Sequence, residues 1–186
     1  KMTIEYKRIG KVEKNIISLD QVKDFIRLSG DDENSMIQLF IDAAVKQAEG
    51  IMNRDLLTTT YECYRPSFNG DLTLRRAPYQ SLVSIEYLKD NTYTTLPLSE
   101  YKLSEGGIYG IIEQIEIPTV DDDVKGVKIT FKSGYGDNVS DVPADITMAL
   151  LQTVHHWYDN RGICGCPDVV NDIYDRYKVI DISYEL

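Results

Sequence analysis

The period of the apolar residues changes twice along this chain, and the two changes divide it into parts that must fold differently. From Leu19 apolar residues recur three and four apart, from Leu57 they alternate, and after Val142-Pro143 the helical spacing returns. A helix buries one stripe and a strand one face. The chain therefore has to unite two helical segments distant in sequence around an inserted sheet.

Ser18 with Gln21 forms a capping-box signature, and Leu19, Val22, Phe25 and Ile26 predict a short helix reaching about Leu28, ended by Gly30. Asp31 and Asp32 are candidate caps for a longer helix, in which Ile37, Phe40, Ile41, Ala44, Ala48 and Ile51 make one apolar stripe through MIQLFIDAAVKQAEGIMNR. The two are expected to form a hairpin. Past Leu57, the Thr- and Tyr-rich TTTYECYRPSFNGDLTL, the alternating SLVSIEYLKD, and GVKITFKSGYG with Val127, Ile129 and Phe131 on one face predict strands; FNGD, KDNT and SEGG supply turns. In the last helical part, Ile146, Leu150, Thr153, Val154 and Trp157 share a buried side, and Asn160-Arg161-Gly162 is the stop. Pro167 opens a final helix with Val170, Ile173, Tyr174 and Tyr177 on one side.

The expected fold class is thus α+β. Residues 1–57 carry the N-terminal segment and helix hairpin of a helical core, 58–140 an inserted antiparallel β-unit, 141–178 the C-terminal helices, and 179–186 a tail strand. In that tail Ile180, Ile182, Tyr184 and Leu186 alternate with Asp181, Ser183 and Glu185. Such a strand needs a partner, and two are open: TIEYKRI at the start of the same chain, or a neighbouring subunit.

Composition narrows the function classes. An odd number of cysteines, Cys63, Cys164 and Cys166, with no apolar signal run in KMTIEYKRIGKVEK, leads us to expect free thiols and synthesis in a reducing cytoplasm. Nowhere do apolar residues run together for the length of a membrane span. Thirty acids against 20 bases give a net charge of −10, which disfavours gripping DNA by its phosphates. An acidic wall past which DNA slides is compatible with the same charge.

No stretch selects a reaction. His155 and His156 are adjacent on a helix and point about 100° apart, whereas helical metal ligands usually sit four apart on one face. Cys164-Gly165-Cys166 is C-x-C, so a zinc site built from these four residues would need a further ligand; that metal-dependent hydrolase is the enzymatic alternative, and no metal or cofactor is expected. Asp121 to Asp123 lack the spacing of a calcium loop, and SGYGD matches neither a phosphate loop nor a nucleophile elbow. Trp157 and Tyr158 read as core and interface material.

Four segments together resemble the phage head-to-tail connector (adaptor) family of DNA-packaging and head-completion proteins. They are ISLDQVKDFIRLSGDDENSMIQLFIDAAVKQAEGIMNRDLL (17–57), LRRAPYQSLVSIEYLKD (74–90), FKSGYGDNVSDVPADITMALLQTVHHWYDNRG (131–162) and, more weakly, YDRYK (174–178). The pattern is similar to that family's capped helix pair with a GR-LL-like step, Pro-aromatic-Ser-Val strand, G-Y-G, Val-Pro, and helix ending in Trp/Tyr-x-Asn-Arg. Asn53 stands here where Gly is common, GICGC follows the Asn-Arg step, and VIDISYEL extends past the last helix.

The resemblance implies a non-enzymatic virion protein at the head-tail junction. Copies would close into a ring, expected to be dodecameric, beneath the portal protein. DNA would pass through the lumen without sequence-specific binding, and a downstream head-completion or tail protein would be received below. Another phage head or tail interface protein is the nearest alternative. The residues expected to dock on the portal or a neighbouring copy are Tyr177, Ile180, Ile182, Tyr184 and Leu186.

Overall fold

In a computed structural model, residues 6–66, 71–104, 107–114, 119–121, 125–162 and 165–180 are described. They form antiparallel sheets and four α-helices, an α+β fold, in two compact units: residues 1–12 with 57–135, and residues 13–56 with 136–186.

In the first unit, strict alternation makes β2 (Thr59–Arg65) and β8 (Val127–Ser133) the centre of a sheet. Thr59, Tyr61 and Cys63 are buried on one face of β2, and Val127, Ile129, Phe131 and Ser133 on the same face of β8. The two strands pair antiparallel, Thr59 opposite Ser133 and Arg65 opposite Val127. On its other side β8 pairs with β4 (Tyr79–Lys89), which turns back into β5 (Thr92–Thr95). That turn is Asp90-Asn91, with φ of 50° and 58°, the left-handed pair a two-residue hairpin requires.

The fifth strand, β1 (Tyr6–Lys11), completes the order β1-β2-β8-β4-β5. Periodicity alone does not reveal it, because most of YKRIGK is exposed and the register shifts between Arg8 and Gly10. Tyr6 fixes it: its ring meets Phe131 edge-on at 5.9 Å, and its hydroxyl accepts the Arg75 N–H at 3.0 Å.

A second sheet, ordered β3-β7-β6, comprises β3 (Leu72–Leu74), β6 (Tyr101–Ser104) and β7 (Gly110–Gln114). Both sheets share one core, in which Leu72, Leu74, Tyr101 and Ile112 join Tyr61, Cys63, Ile85, Ile129 and Phe131. Tyr61 and Phe131 stack at 5.8 Å. Burial pushes the Cys63 thiol pKa up to about 12, so this cysteine is inert packing material.

Where β8 ends, Gly134 takes φ +122° and passes so close to the segment leading into β2 that a Cβ there would lie 2.5 Å from the Leu57 carbonyl oxygen. Only glycine fits both the torsion and the space.

The second unit packs α1 (Leu19–Ile26), α2 (Asn34–Met52), α3 (Ala144–Asp159) and α4 (Asp168–Tyr177). The capping box at Ser18 forms: its Oγ accepts from Gln21 N at 3.1 Å, and Gln21 Oε1 accepts from Ser18 N at 2.8 Å. Helix α1 stops earlier than the spacing suggests, because Arg27 turns left-handed at φ 56° before Gly30 is reached. Neither Asp31 nor Asp32 caps α2, whose N-cap is Glu33; the Asp31 carboxylate is taken by Lys23 at 2.7 Å and the Asn34 amide at 3.0 Å.

The apolar stripe of α2 is buried as expected, with Met52 replacing Ile51 as its last member. Trp157 of α3 is 1% exposed and meets Phe40 of α2 edge-on at 6.2 Å. Burying side chains of this size stabilises the pair by about 2 kcal/mol each.

Two glycines give opposite expectations. Gly134→Ala should destabilise the chain by about 1–3 kcal/mol through strain and collision. Gly50→Ala, in open space on the exposed side of α2, should stabilise it by about 0.5–1 kcal/mol. Denaturant midpoints of the two variants measure both.

Candidate functional site

The last described residues leave α4 from a fixed point. Helix α2 ends in Asn53 at φ 52°, the left-handed conformation that Asn tolerates best after Gly. The Asn53 and Arg54 N–H groups close back on the Glu49 carbonyl, while the last carbonyls of the helix have no intrahelical donors. The Met52 carbonyl accepts the Val179 N–H at 2.9 Å, and Asn53 Nδ2 donates to the Val179 carbonyl at 3.4 Å. Val179 is buried.

Around this joint, Arg54 and Tyr177 hold each other. The Arg54 Nε–H donates to the Tyr177 carbonyl, and its guanidinium lies 5.9 Å from the centre of the Tyr177 ring. The Tyr177 hydroxyl donates to both oxygens of Asp145, at 2.9 and 3.0 Å, and Arg176 approaches the same carboxylate at 3.8 Å. A hydrogen bond to a charged group contributes about 1.5–3 kcal/mol when it is sheltered.

Of the residues expected to dock, Tyr177 thus has its ring and hydroxyl engaged within the helical unit. Ile180 stands 70% exposed just beyond the joint. Ile182, Tyr184 and Leu186 lie outside the described residues. Arg54, Asn53 and Asp145 complete the arrangement, and Asn53-Arg54 lies in the first of the four segments that carry the family likeness.

The tandem histidines turn to separate partners. His155 Nε2 lies 3.3 Å from Asp159 Oδ2, and its ring meets Phe25 edge-on at 5.8 Å. His156 Nδ1 is 3.3 Å from Asn160 Nδ2. Cys166 Sγ lies 4.0 Å from Thr153 Oγ1, while Cys164 is outside the described residues. Among the described residues no three His, Cys, Asp or Glu side chains converge on a common point, and no helix is long and apolar enough to cross a membrane.

At the start of α2, Glu33 accepts from the Tyr158 hydroxyl and lies 3.3 Å from Arg161 Nη1. The hydrogen bond from Tyr158, supplemented by Arg161, holds the Glu33 carboxyl below its usual pKa; Lys23, then Asn34, do the same for Asp31.

Charge is segregated. Residues 13–56 and 136–186 hold 18 acids and eight bases, whereas residues 1–12 and 57–135 hold twelve of each. The entire net charge of −10 therefore belongs to the helical unit.

A profile of the head completion protein family matches residues 15–163. Among solved structures, a chain from the neck of an empty gene transfer agent particle, computed with C6 symmetry, aligns over 96% of this chain and 97% of its own length, with a TM-score of 0.78 at 17% identity. A chain from the virion of a native gene transfer agent particle gives 0.75 at 18% identity, covering 95% and 96%. One from the neck of the native particle, computed with C12 symmetry, gives 0.73 at 16%, covering 96% and 97%. Identities this low make these likenesses of fold. No curated protein matches the sequence.

Tyr177→Phe should cost about 1–2 kcal/mol and speed hydrogen exchange at the Val179 amide, read by exchange mass spectrometry or NMR. Stability should also fall with acid. Because the folded pKa values of Asp31 and Glu33 are depressed, their contribution is present above the ordinary values of 3.8 and 4.5 and is lost as pH drops through the lower folded values. Thermal unfolding of Glu33→Gln should show a weaker dependence on pH in that range.

Proposed function

The chain belongs to the head completion protein family, and on that premise we propose that it works as a head-to-tail connector. It is a structural virion subunit whose copies close into a ring of twelve beneath the portal, extend the channel through which DNA passes, and receive the next head-completion or tail protein. The observation that carries this reading is the family match across residues 15–163. A fold shared end to end with chains of a particle neck, in structures computed with C6 and C12 symmetry, supports the ring.

The physics of the chain is consistent with a part that is shaped rather than reactive. The paired histidines face different neighbours, Asp159 and Phe25 for His155 and Asn160 for His156. A negative potential from many copies of a −10 subunit keeps DNA from adhering to the wall it slides past. The reading makes the protein a scaffold and not an enzyme, residing in the virion after synthesis in the host cytoplasm.

Docking in this reading falls to the tail. Ile180, Ile182, Tyr184 and Leu186 alternate in the sequence with polar residues, and such a segment, on this reading, would add as a strand to the portal or to a neighbouring connector, with main-chain hydrogen bonds for affinity and the side chains for register. Tyr177, tied to Asp145 and Arg54, holds the base from which the tail departs.

Truncation separates the tail from the fold. A chain ending at Ile180 should keep its circular dichroism and melting temperature yet fail to join portal-bearing heads in electron micrographs. Ending it at Lys178 should in addition lower stability, since Val179 is buried and bonded to Met52. If the shorter loss alone unfolds the subunit, the tail pairs within its own chain. Stoichiometric zinc in chelator-free protein would contradict the scaffold reading outright.

A further inference from the structure

The outer face of the five-stranded sheet, turned away from its core, carries charge in an ordered pattern. Register sets Lys7 of β1 opposite Glu62 of β2, and Tyr64 of β2 opposite Lys128 of β8, which in turn faces Glu86 of β4. Lys128 Nζ meets Glu86 Oε2 at 2.6 Å and lies 4.9 Å from the Tyr93 ring centre. Lys125 Nζ lies 5.4 Å from the Tyr64 ring, the Tyr64 hydroxyl donates to Glu62 at 3.3 Å, and the Tyr93 hydroxyl donates to the Lys125 carbonyl at 2.8 Å. Lys132 extends the row on β8.

Among the described residues, the lysines on or against this face outnumber its glutamates, four to two, in a chain whose helical unit holds every one of its ten excess negative charges. A closed ring repeats one heterologous contact, so each copy must offer two different faces that fit each other. Helical units turned toward one another would repel. The lysine-bearing sheet face has the opposite sign, and along α4 Asp168, Asp172 and Asp175 stand exposed four and three residues apart, on one side of the helix.

We propose that the outer sheet face of one copy packs against the acidic helical unit of the next, with the α4 aspartates meeting the sheet lysines. The occupant of this face is thus a second copy of the chain. The inference rests on the ring reading above and specifies which two surfaces close it. Tyr64 and Tyr93, already held by their own hydrogen bonds, supply flat contact area with little left to order. Lys7 and Lys132 select the approach.

A charge-swap experiment tests the contact. Lys7→Glu/Lys132→Glu spares the internal Lys128–Glu86 pair, and Asp172→Lys/Asp175→Lys alters exposed positions of α4. Sedimentation across a concentration series, electron microscopy for rings, and circular dichroism as the fold check are applied to the native chain and both variants. The native chain should self-associate and lose about tenfold in affinity between low and high salt. Each variant alone should stay monomeric, and mixing the two should restore association, because every reversed sheet then meets a reversed helix. Folded variants that form rings as the native chain does, or a mixture that fails to recover, overturn the contact and leave the ring standing. A native chain that stays monomeric at every concentration overturns both the contact and ring closure by this chain alone.

Discussion

Everything in this chain depends on the β2–β8 ladder. The helical unit is built from two segments separated by residues 57–135, and a long intervening segment must return to where it left if those segments are to pack. Closing such a loop has an entropic cost that grows only slowly with length. The antiparallel pairing of Thr59 with Ser133 through Arg65 with Val127 offsets it with a full run of main-chain hydrogen bonds and a shared apolar face. Gly134 lets the returning strand come against the Leu57 carbonyl at the very root of the insertion.

On the helical side, the equivalent economy is at the end of α2. Helix C-termini leave carbonyls without intrahelical partners. Here one of them, on Met52, receives the backbone of residue 179, and the neighbouring Asn53 and Arg54 take up the next available groups of the same passing segment. A helix cap and a chain exit are thus the same structure. The sheet unit, balanced in charge, and the helical unit, strongly acidic, then give one subunit two electrically distinct halves.

Where period and burial coincide, the sequence was readable. Ile146, Leu150, Thr153, Val154 and Trp157 are all buried on α3, and Val127, Ile129 and Phe131 on β8, because those elements bury a single clean face. Local chemistry without period was less legible. Strand β1 is exposed along most of its length and is held by its ladder to β2 together with the Tyr6 ring on Phe131, tertiary contacts that no local pattern encodes. Asp31 and Asp32 had the right side chains to cap α2, yet Asp31 was drawn to Lys23 and the helix began after Glu33. The tail's alternation was visible, whereas its anchor was hidden, since Arg54, Asp145 and Tyr177 come from three helices' ends and meet only once the unit has folded.

Because the polypeptide crosses from 57 to 134 over no more than a van der Waals gap, the helical framework is indifferent to how much chain lies between those points. Residues added to a hairpin between those points lengthen a loop whose closure cost grows only slowly with its length. A change of length in the insertion is thus absorbed within the sheet unit, between two chain positions that stay side by side.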